Sequence, residues 1–449
     1  MTGPHLEQHT GCCWHRAMRQ RPRLLLVSAL ALATLSVPLG PAVPPGSAEV
    51  TTTATAAPRL LGVTTIASGL RYAGTTVGGL SGIDRDPRTG AYYLISDDRS
   101  EVGPARFYSA TIDLSAGAPD VRLTGASVLL RDDGAAYPSL SAWTASGCQQ
   151  GAPVCDRRAT VDPEDVRVDP RSGDLWWSQE GDRQTGTPRF LSDPSIRRAL
   201  PDGTFAGQLR LPEALHVAAG PYGPRANLGL EAFTFADCGR EVTSVLEGPL
   251  LQDGPEPTAT NGALVRLSVQ NRGGALQAQY AYPLDPVGGA PGANGVAAVL
   301  ADPARPGRYL VLERTVVVGQ GTRIRIYGVD LPAPGSAGSG AATDVAGVES
   351  LASGLPVRPL SKELLLDLAD LGVQPGIVEG ITWGPALPTG ERSLVMVADD
   401  NFAARAIPGV AQVSQVHRRR RRRGSGGRAG RVLSGLRRSA RGWLTLRAG

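Results

Sequence analysis

Histidine is scarce in this chain, five in 449 residues, and beyond residue 48 only His216 and His417 remain. The count excludes multi-histidine zinc sites and histidine-nucleophile phosphatases. A Ser-His-Asp triad would have to use His216, in the ordinary run Glu213-Ala214-Leu215-His216, and no Gly-x-Ser-x-Gly elbow occurs. Lysine is nearly absent: Lys362 is the only one, so basic charge rests on arginine. Cysteine is limited to five residues. Cys12 and Cys13 fall in the leader, Cys148 and Cys155 flank a Gly- and Pro-containing loop and are expected to form a local disulfide, and Cys238 is left over as a buried thiol. Long apolar runs are missing except for residues 24–39, which are too short and too proline-interrupted for a membrane span. Arg19, Arg21 and Arg23 before that run and Ser47-Ala48 after it read as a secretory signal over residues 1–48, with Met18 as a second possible start. A secreted protein without a membrane span is therefore expected.

Charge is unevenly spread. After Asp400 there are 13 arginines and no acid, and the first 48 residues carry +3. Taking that +13 and +3 from the formal +5 leaves a body of −11. An acidic body suits metal ions and argues against nucleic acid. The tail 403–449 reads either as out-of-frame or degenerate text from GC-rich coding or as a basic appendage. Residues 49–57 read as a linker and 58–402 as one domain.

That domain carries a repeat. Ser81, Glu164, Glu231, Ala297 and Glu379 head five short motifs, and Asp97, Glu180, Glu247, Glu313 and Asp399 follow them. The interval is 16 residues in the first four pairs and 20 in the last. Between motifs lie turn signals such as Asp86-Pro87-Arg88-Thr89-Gly90, Asp169-Pro170-Arg171-Ser172-Gly173 and Asp302-Pro303-Ala304-Arg305-Pro306-Gly307, each followed by an apolar run. Proline presets φ and glycine accepts positive φ, so each unit opens as strand, tight turn, strand. Units of this kind repeated radially make an all-β fold, a single β-propeller with inserted loops. Five repeats are visible, and a sixth blade is expected from residues 60–71 joined to the chain's end. A β-sandwich with coincidental spacing is the alternative. One helix is expected, over 361–371, with Ser361 as its cap.

With histidine so scarce, carboxylates must do any chemistry. Clustered Asp and Glu oxygens on strand ends are what Ca²⁺ prefers. The metal-ligating candidates are Asp97, Asp98, Glu164, Glu180, Glu247, Glu313, Asp399 and Asp400. Glu164, Glu180, Glu231 and Glu379 are the catalytic candidates, and Arg99, Arg183, Arg314 and Asn401 the substrate-binding ones. Asp165 and Asp182 lie in the same motifs. Each acid taken singly also fits a role as a turn or strand-end cap.

Gly79-Leu80-Ser81-Gly82-Ile83, Asp162-Pro163-Glu164-Asp165-Val166, Trp176-Trp177-Ser178-Gln179-Glu180-Gly181, Asn227-Leu228-Gly229-Leu230-Glu231-Ala232-Phe233, Leu310-Val311-Leu312-Glu313-Arg314 and Glu379-Gly380-Ile381 through Asp399-Asp400-Asn401-Phe402 resemble the secreted phytase-like propeller proteins, described as having esterase-like activity of phytase. The resemblance runs from about 78 to 402. It implies a secreted propeller and phosphoester hydrolysis with Ca²⁺. The chain departs from the pattern at Ala297, where an acid or serine is expected, and after Phe402, where the closing strand is not legible. Two functions follow: a hydrolase of phosphate esters, or a non-catalytic extracellular propeller whose acids bind ions or a partner. A monomer is expected in either case.

Overall fold

The computed structural model describes residues 58–403, apart from 68, 116, 149–154, 156–157, 187–188, 333–339 and 374, together with the strand Ala411–Arg418. The leader, the linker and most of the arginine-rich tail lie outside the described residues.

A strand β1 (Leu60–Ile66) and a small ribbon of β2 (Arg71–Tyr72) and β3 (Thr75–Thr76) precede the first blade. Blade 1 holds β4 (Leu80–Arg85), β5 (Tyr92–Ser96), β6 (Arg106–Asp113) and β7 (Asp120–Val128). A short helix α1 (Leu140–Ala145) leads into blade 2, made of β8 (Pro163–Val168), β9 (Leu175–Gln179), β12 (Ser195–Ala199) and β13 (Phe205–Leu209). The ribbon β10 (Asp182–Gln184) and β11 (Phe190–Ser192) is inserted between β9 and β12. Blade 3 is β14 (Leu230–Ala236), β15 (Glu241–Leu246), β16 (Ala263–Asn271) and β17 (Leu276–Leu284). Blade 4 is β18 (Gly292–Ala301), β19 (Arg308–Val317), β20 (Gly321–Asp330) and β21 (Lys362–Asp367). Blade 5 is β22 (Ile377–Ala386), β23 (Arg392–Asp399) and β24 (Ala411–Arg418), with β1 as its outermost strand.

Local chemistry makes the inner hairpins. Asp86 accepts from the Arg88 amide at 2.9 Å and Gly90, at φ +79°, donates back to the Asp86 carbonyl. Asp169 and Gly173 repeat the arrangement in blade 2. Side chains then alternate across each sheet, so every strand feeds two interblade cores. In β5, Tyr92 and Leu94 pack toward blade 5 while Ile95 packs toward blade 2; in β9, Trp177 faces blade 1 and Trp176 faces blade 3. Five apolar cores result, one at each blade seam. The inner strands β4, β8, β14, β18 and β22 neighbour one another in that order, and β22 returns to β4. This closed ring excludes the sandwich.

Three expectations are corrected. The ring closes on five four-stranded blades, and β1 joins blade 5 instead of building a sixth. The closing strand is β24, seated between β1 and β23, so the domain draws on residues beyond 402 and the β23 edge is covered. Residues 362–367 are the strand β21, paired with β20 from Val329↔Lys362 to Arg325↔Asp367, and only Leu368–Leu371 is helical, as a 3₁₀ turn capped by Asp367. The open backbone edge of β20 requires partners, and that tertiary demand overrides the helical leucine spacing. Cys148 and Cys155 are disulfide-bonded, their Cα atoms 5.4 Å apart, and Cys238 is half-buried.

Candidate active site on the propeller axis

Each inner hairpin carries a β-bulge at the same place. The register shifts between Leu80 and Gly82, Pro163 and Val166, Leu230 and Ala232, Val296 and Ala298, and Val378 and Gly380. The first-motif residues Ser81, Glu164, Glu231, Ala297 and Glu379 therefore sit in the bulges, which re-aim side chains out of the alternating pattern. Two residues before each bulge the chain pairs with the second-motif residue: Gly79 with Asp97, Asp162 with Glu180, Gly229 with Glu247, Gly295 with Arg314 and Ile377 with Asp399.

That register corrects blade 4. The residue equivalent to Asp97, Glu180, Glu247 and Asp399 is Arg314, not Glu313. Glu313 points the other way, fully buried, and accepts from Tyr282 at 2.7 Å, from Asn294 at 2.9 Å and from Lys362. The blade 4 turn, residues 302–307, is one residue longer than the turns at 86–90 and 169–173, so a count of 16 stops one residue short.

The axial side chains form one constellation. Oxygens of Asp162, Glu164 and Glu180 lie within 4.8 Å of one another, as do those of Glu180, Glu231 and Glu247. Arg314 ion-pairs with Glu379, with Glu247 at 2.7 Å and with Glu231 at 3.8 Å. Arg99 pairs with Asp162, stands 3.6 Å from Glu180, and donates to Asn227 at 2.9 Å. Asp97, Asp162, Glu164, Glu180, Glu231, Glu247, Glu379 and Asp399 are eight carboxylates against the two guanidiniums of Arg99 and Arg314, a formal excess of six negative charges.

Burial, in most cases reinforced by mutual repulsion, holds Asp97, Asp162, Glu164, Glu180, Glu231, Glu379 and Asp399 toward their protonated forms. Glu379 is pushed up to about 8 by burial and Asp399 to about 6 by burial. Burial also raises Asp97, reinforced by Asp399 and Glu379; Glu164, reinforced by Glu231; Glu180, reinforced by Asp162; and Glu231, reinforced by Glu247. Arg314 runs the opposite way: burial works against its charge, yet Glu379, Glu247 and Glu231 outweigh that and hold it firmly protonated. Asp97 and Glu164 keep part of their surface in solvent and Arg99 is 37 % exposed, so the constellation opens at blades 1 and 2.

Beneath the acids the axis is shut by Arg167, a residue the sequence reading did not single out. Its guanidinium is 2 % exposed and donates to inner-strand carbonyls of all four other blades: Ile381 at 2.8 Å, Phe233 at 2.9 Å, and Ile83 and Val299 at 3.3 Å. All four carbonyls lie two residues past a bulge. Asp165 pairs with Arg167 at 2.9 Å instead of joining the acids above.

Other candidates lie apart from the constellation. Asp98 accepts three amides, from Glu101, Val102 and Gly103, and pairs with Arg106 at 2.7 Å. Asp400 accepts from the amides of Gly79 and Phe402. These two acids are occupied as caps, and the metal role expected of them is not supported by their contacts. Arg183 donates to the carbonyls of Ala218, Gly220 and Tyr222, binding a loop and not the axis. Asn401 enters through its backbone, whose amide donates to Asp399 at 2.8 Å. Asp182 lies 4.0 Å from Arg99, at the rim. Asp162, absent from the expected ligands, joins the acids because it occupies a position that is glycine in blades 1, 3 and 4.

Those glycines are spacers for the preceding blade. A Cβ on Gly229 would stand 2.1 Å from the Glu180 carbonyl oxygen, and Gly229 also donates to the Glu180 carboxylate at 3.0 Å. The Gly229→Ala variant should lose about 1–3 kcal/mol by overpacking the seam, read by urea unfolding. Unchanged stability would show that the seam yields freely.

The fold and site define a five-bladed propeller with a charged axial constellation, closed below and open above. The chain belongs to the phytase-like family, described as esterase-like activity of phytase, whose sequence model matches residues 75–402. Comparison with curated protein sequences gave no match. Among solved structures, the periplasmic gluconolactonase PpgL of Pseudomonas aeruginosa is similar at 12% identity over 76% of this chain and 86% of that one, with a TM-score of 0.33. The arabinanase Arb43A of Bacillus subtilis is similar at 10% identity over 80% and 96%, with a TM-score of 0.38. The Myceliophteria thermophila Cps50 (Swd1) propeller domain is similar at 10% over 80% and 99%, with a TM-score of 0.34. Among the described residues no helix is long and apolar enough to cross a membrane.

Proposed function

We propose that this chain is an exported hydrolase of phosphate esters that works at the axial carboxylates with Ca²⁺ bound there. The observation that carries the reading is the uncompensated acid cluster opening to solvent beside Arg99. The residues fit a hard cation: every donor is a carboxylate oxygen, and those of Asp162, Glu164 and Glu180 lie within 4.8 Å of one another. Asp162, Glu164 and Glu180 would hold the ion, with Asp97 nearby. Ca²⁺ in that position would neutralise the ester's charge and acidify a water.

The chain's own residues supply the rest. Arg99, half-exposed at the opening, is placed to clamp phosphate oxygens through paired N–H donors. Glu164 accepts no hydrogen bond from any described residue and, once a cation beside it favours its ionised form, is placed to take the proton of the attacking water. Water oxygen bonds to phosphorus, the P–O bond to the alcohol breaks, and the proton that Glu164 takes from the water passes to the leaving alkoxide. Arg167 below excludes a second entrance.

Purified full-length protein assayed on phosphate monoesters, phosphate diesters and carboxylic esters should turn over a phosphate ester with Ca²⁺ and lose that activity in chelator. Glu164→Gln should lower kcat by about 10²-fold or more. No turnover of any phosphate ester in Ca²⁺ would overturn the reading. The second reading, a non-catalytic propeller binding an ion or partner, is favoured by Arg314, which already compensates three of the acids; Ca²⁺ binding without turnover is its signature.

A further inference from the structure

Arg314 stands where the four other blades place a carboxylate. We propose that Arg314 is a resident cation: the axial constellation has two cation positions, one filled permanently by this guanidinium and one left for an exchangeable divalent ion. The inference rests on the metal-binding part of the function proposed above and goes beyond it in number and place.

The two halves of the constellation differ in their contacts. On the side of blades 3 to 5, Arg314 is largely buried and held from three directions, by Glu379, Glu247 and Glu231. It cannot leave without stranding those buried acids. On the side of blades 1 and 2, oxygens of Asp162, Glu164 and Glu180 lie within 4.8 Å of one another, and Arg99 pairs with Asp162 from the rim. Arg99, the guanidinium there, is 37 % exposed, against 16 % for Arg314. The oxygens of Glu180, Glu231 and Glu247 form a second converging set, and Arg314 pairs with two of its three members. A guanidinium seated among converging carboxylates shows that this axis accommodates positive charge; here it is tethered to β19.

Removing that charge should therefore open a second ion position that shares Glu180 with the first. The test is Ca²⁺ stoichiometry by isothermal titration and elemental analysis on the full chain, purified in Ca²⁺ and then exchanged into defined Ca²⁺. Wild type should bind one Ca²⁺ per chain on the axis, Arg314→Met two, and Arg314→Lys, which keeps the charge, one. In chelator Arg314→Met should melt lower than wild type at pH 8 and recover more on adding Ca²⁺. One Ca²⁺ in both wild type and Arg314→Met would overturn the resident-cation proposal and leave the metal reading standing. None in wild type but one in Arg314→Met would support the resident cation and overturn the metal reading. Two in wild type, or none in either, would overturn the proposal. Should Arg314→Met fail to fold, Arg314→Gln replaces it with the same expected counts, and Glu180→Gln in the wild-type background should abolish Ca²⁺ binding if the shared ligand is correctly placed.

Discussion

Replacing Arg167 by methionine should destabilise the protein by about 3–5 kcal/mol or more, lowering Tm by roughly 10 °C. The side chain is nearly unexposed, and its guanidinium serves the carbonyls of Ile83, Phe233, Val299 and Ile381 and the carboxylate of Asp165 together. Methionine fills the volume but leaves those acceptors without donors in a region water cannot reach, and strands a buried acid. Burial already pushes Asp165 up to about 6, with Arg167 offsetting part of the rise. The variant's Asp165 should therefore take up a proton at neutral pH. Arg167→Lys should fall between the two, because one ammonium cannot reach four blades. Denaturant unfolding followed by tryptophan fluorescence measures all three. A loss under about 1 kcal/mol in Arg167→Met would refute the axial clamp.

Without Ca²⁺, stability should fall steeply as pH rises from 5 to 8, and Ca²⁺ should restore it. Glu379 ordinarily titrates near 4.5 and is raised by burial to about 8 in the folded protein. Between those values the folded state keeps a proton that the unfolded state has lost. Its stabilising contribution is thus complete below 4.5 and is lost as pH climbs through 8. Asp399, raised to about 6, adds to the fall at the lower end of that window, and Asp97, Glu164, Glu180 and Glu231 shift in the same direction. The coupled set should be worth on the order of a few kcal/mol, or a Tm drop of roughly 5–10 °C. A cation that binds only the folded state reverses the loss by mass action. The double variant Glu164→Gln, Glu379→Gln should melt higher than wild type in chelator at pH 8, respond little to Ca²⁺ and lose turnover. Wild-type thermal response and wild-type rate in that variant would reduce these acids to strand-end caps.

Much of this was legible locally. The Asp-Pro and Gly turns, the alternating apolar strands and the 16-residue interval belong to single hairpins, whose geometry is set by contacts within a few residues. They brought Glu164, Glu180, Glu231, Glu247, Glu379, Asp97 and Asp399 forward as candidates, together with Asp98, Glu313 and Asp400, which lie apart from the axis. Blade 4 shows the limit of counting: one extra turn residue moves Arg314 onto the axis and Glu313 into a buried pocket with Tyr282, Asn294 and Lys362. That extra residue was visible in the text, but its consequence depends on pairing register, because a one-residue slip changes which side chain faces the axis.

By itself the sequence determined a histidine-poor, all-β chain of five repeats with an acidic body, a local disulfide, and carboxylates as the candidates for any chemistry. Tertiary structure alone decided the number of blades, since closure depends on how inner strands pack around an axis and on β1 meeting β24 in blade 5. It alone turned residues 362–367 into a strand, through the unpaired edge of β20. It alone assigned Arg167, whose partners are 66 to 214 residues away and share only their position around the ring. Asp98 became a cap through its own loop, taking the amides of Glu101, Val102 and Gly103, whereas Asp400 joins the nearby Phe402 amide to that of Gly79 in the next blade, a contact that no local spacing encodes.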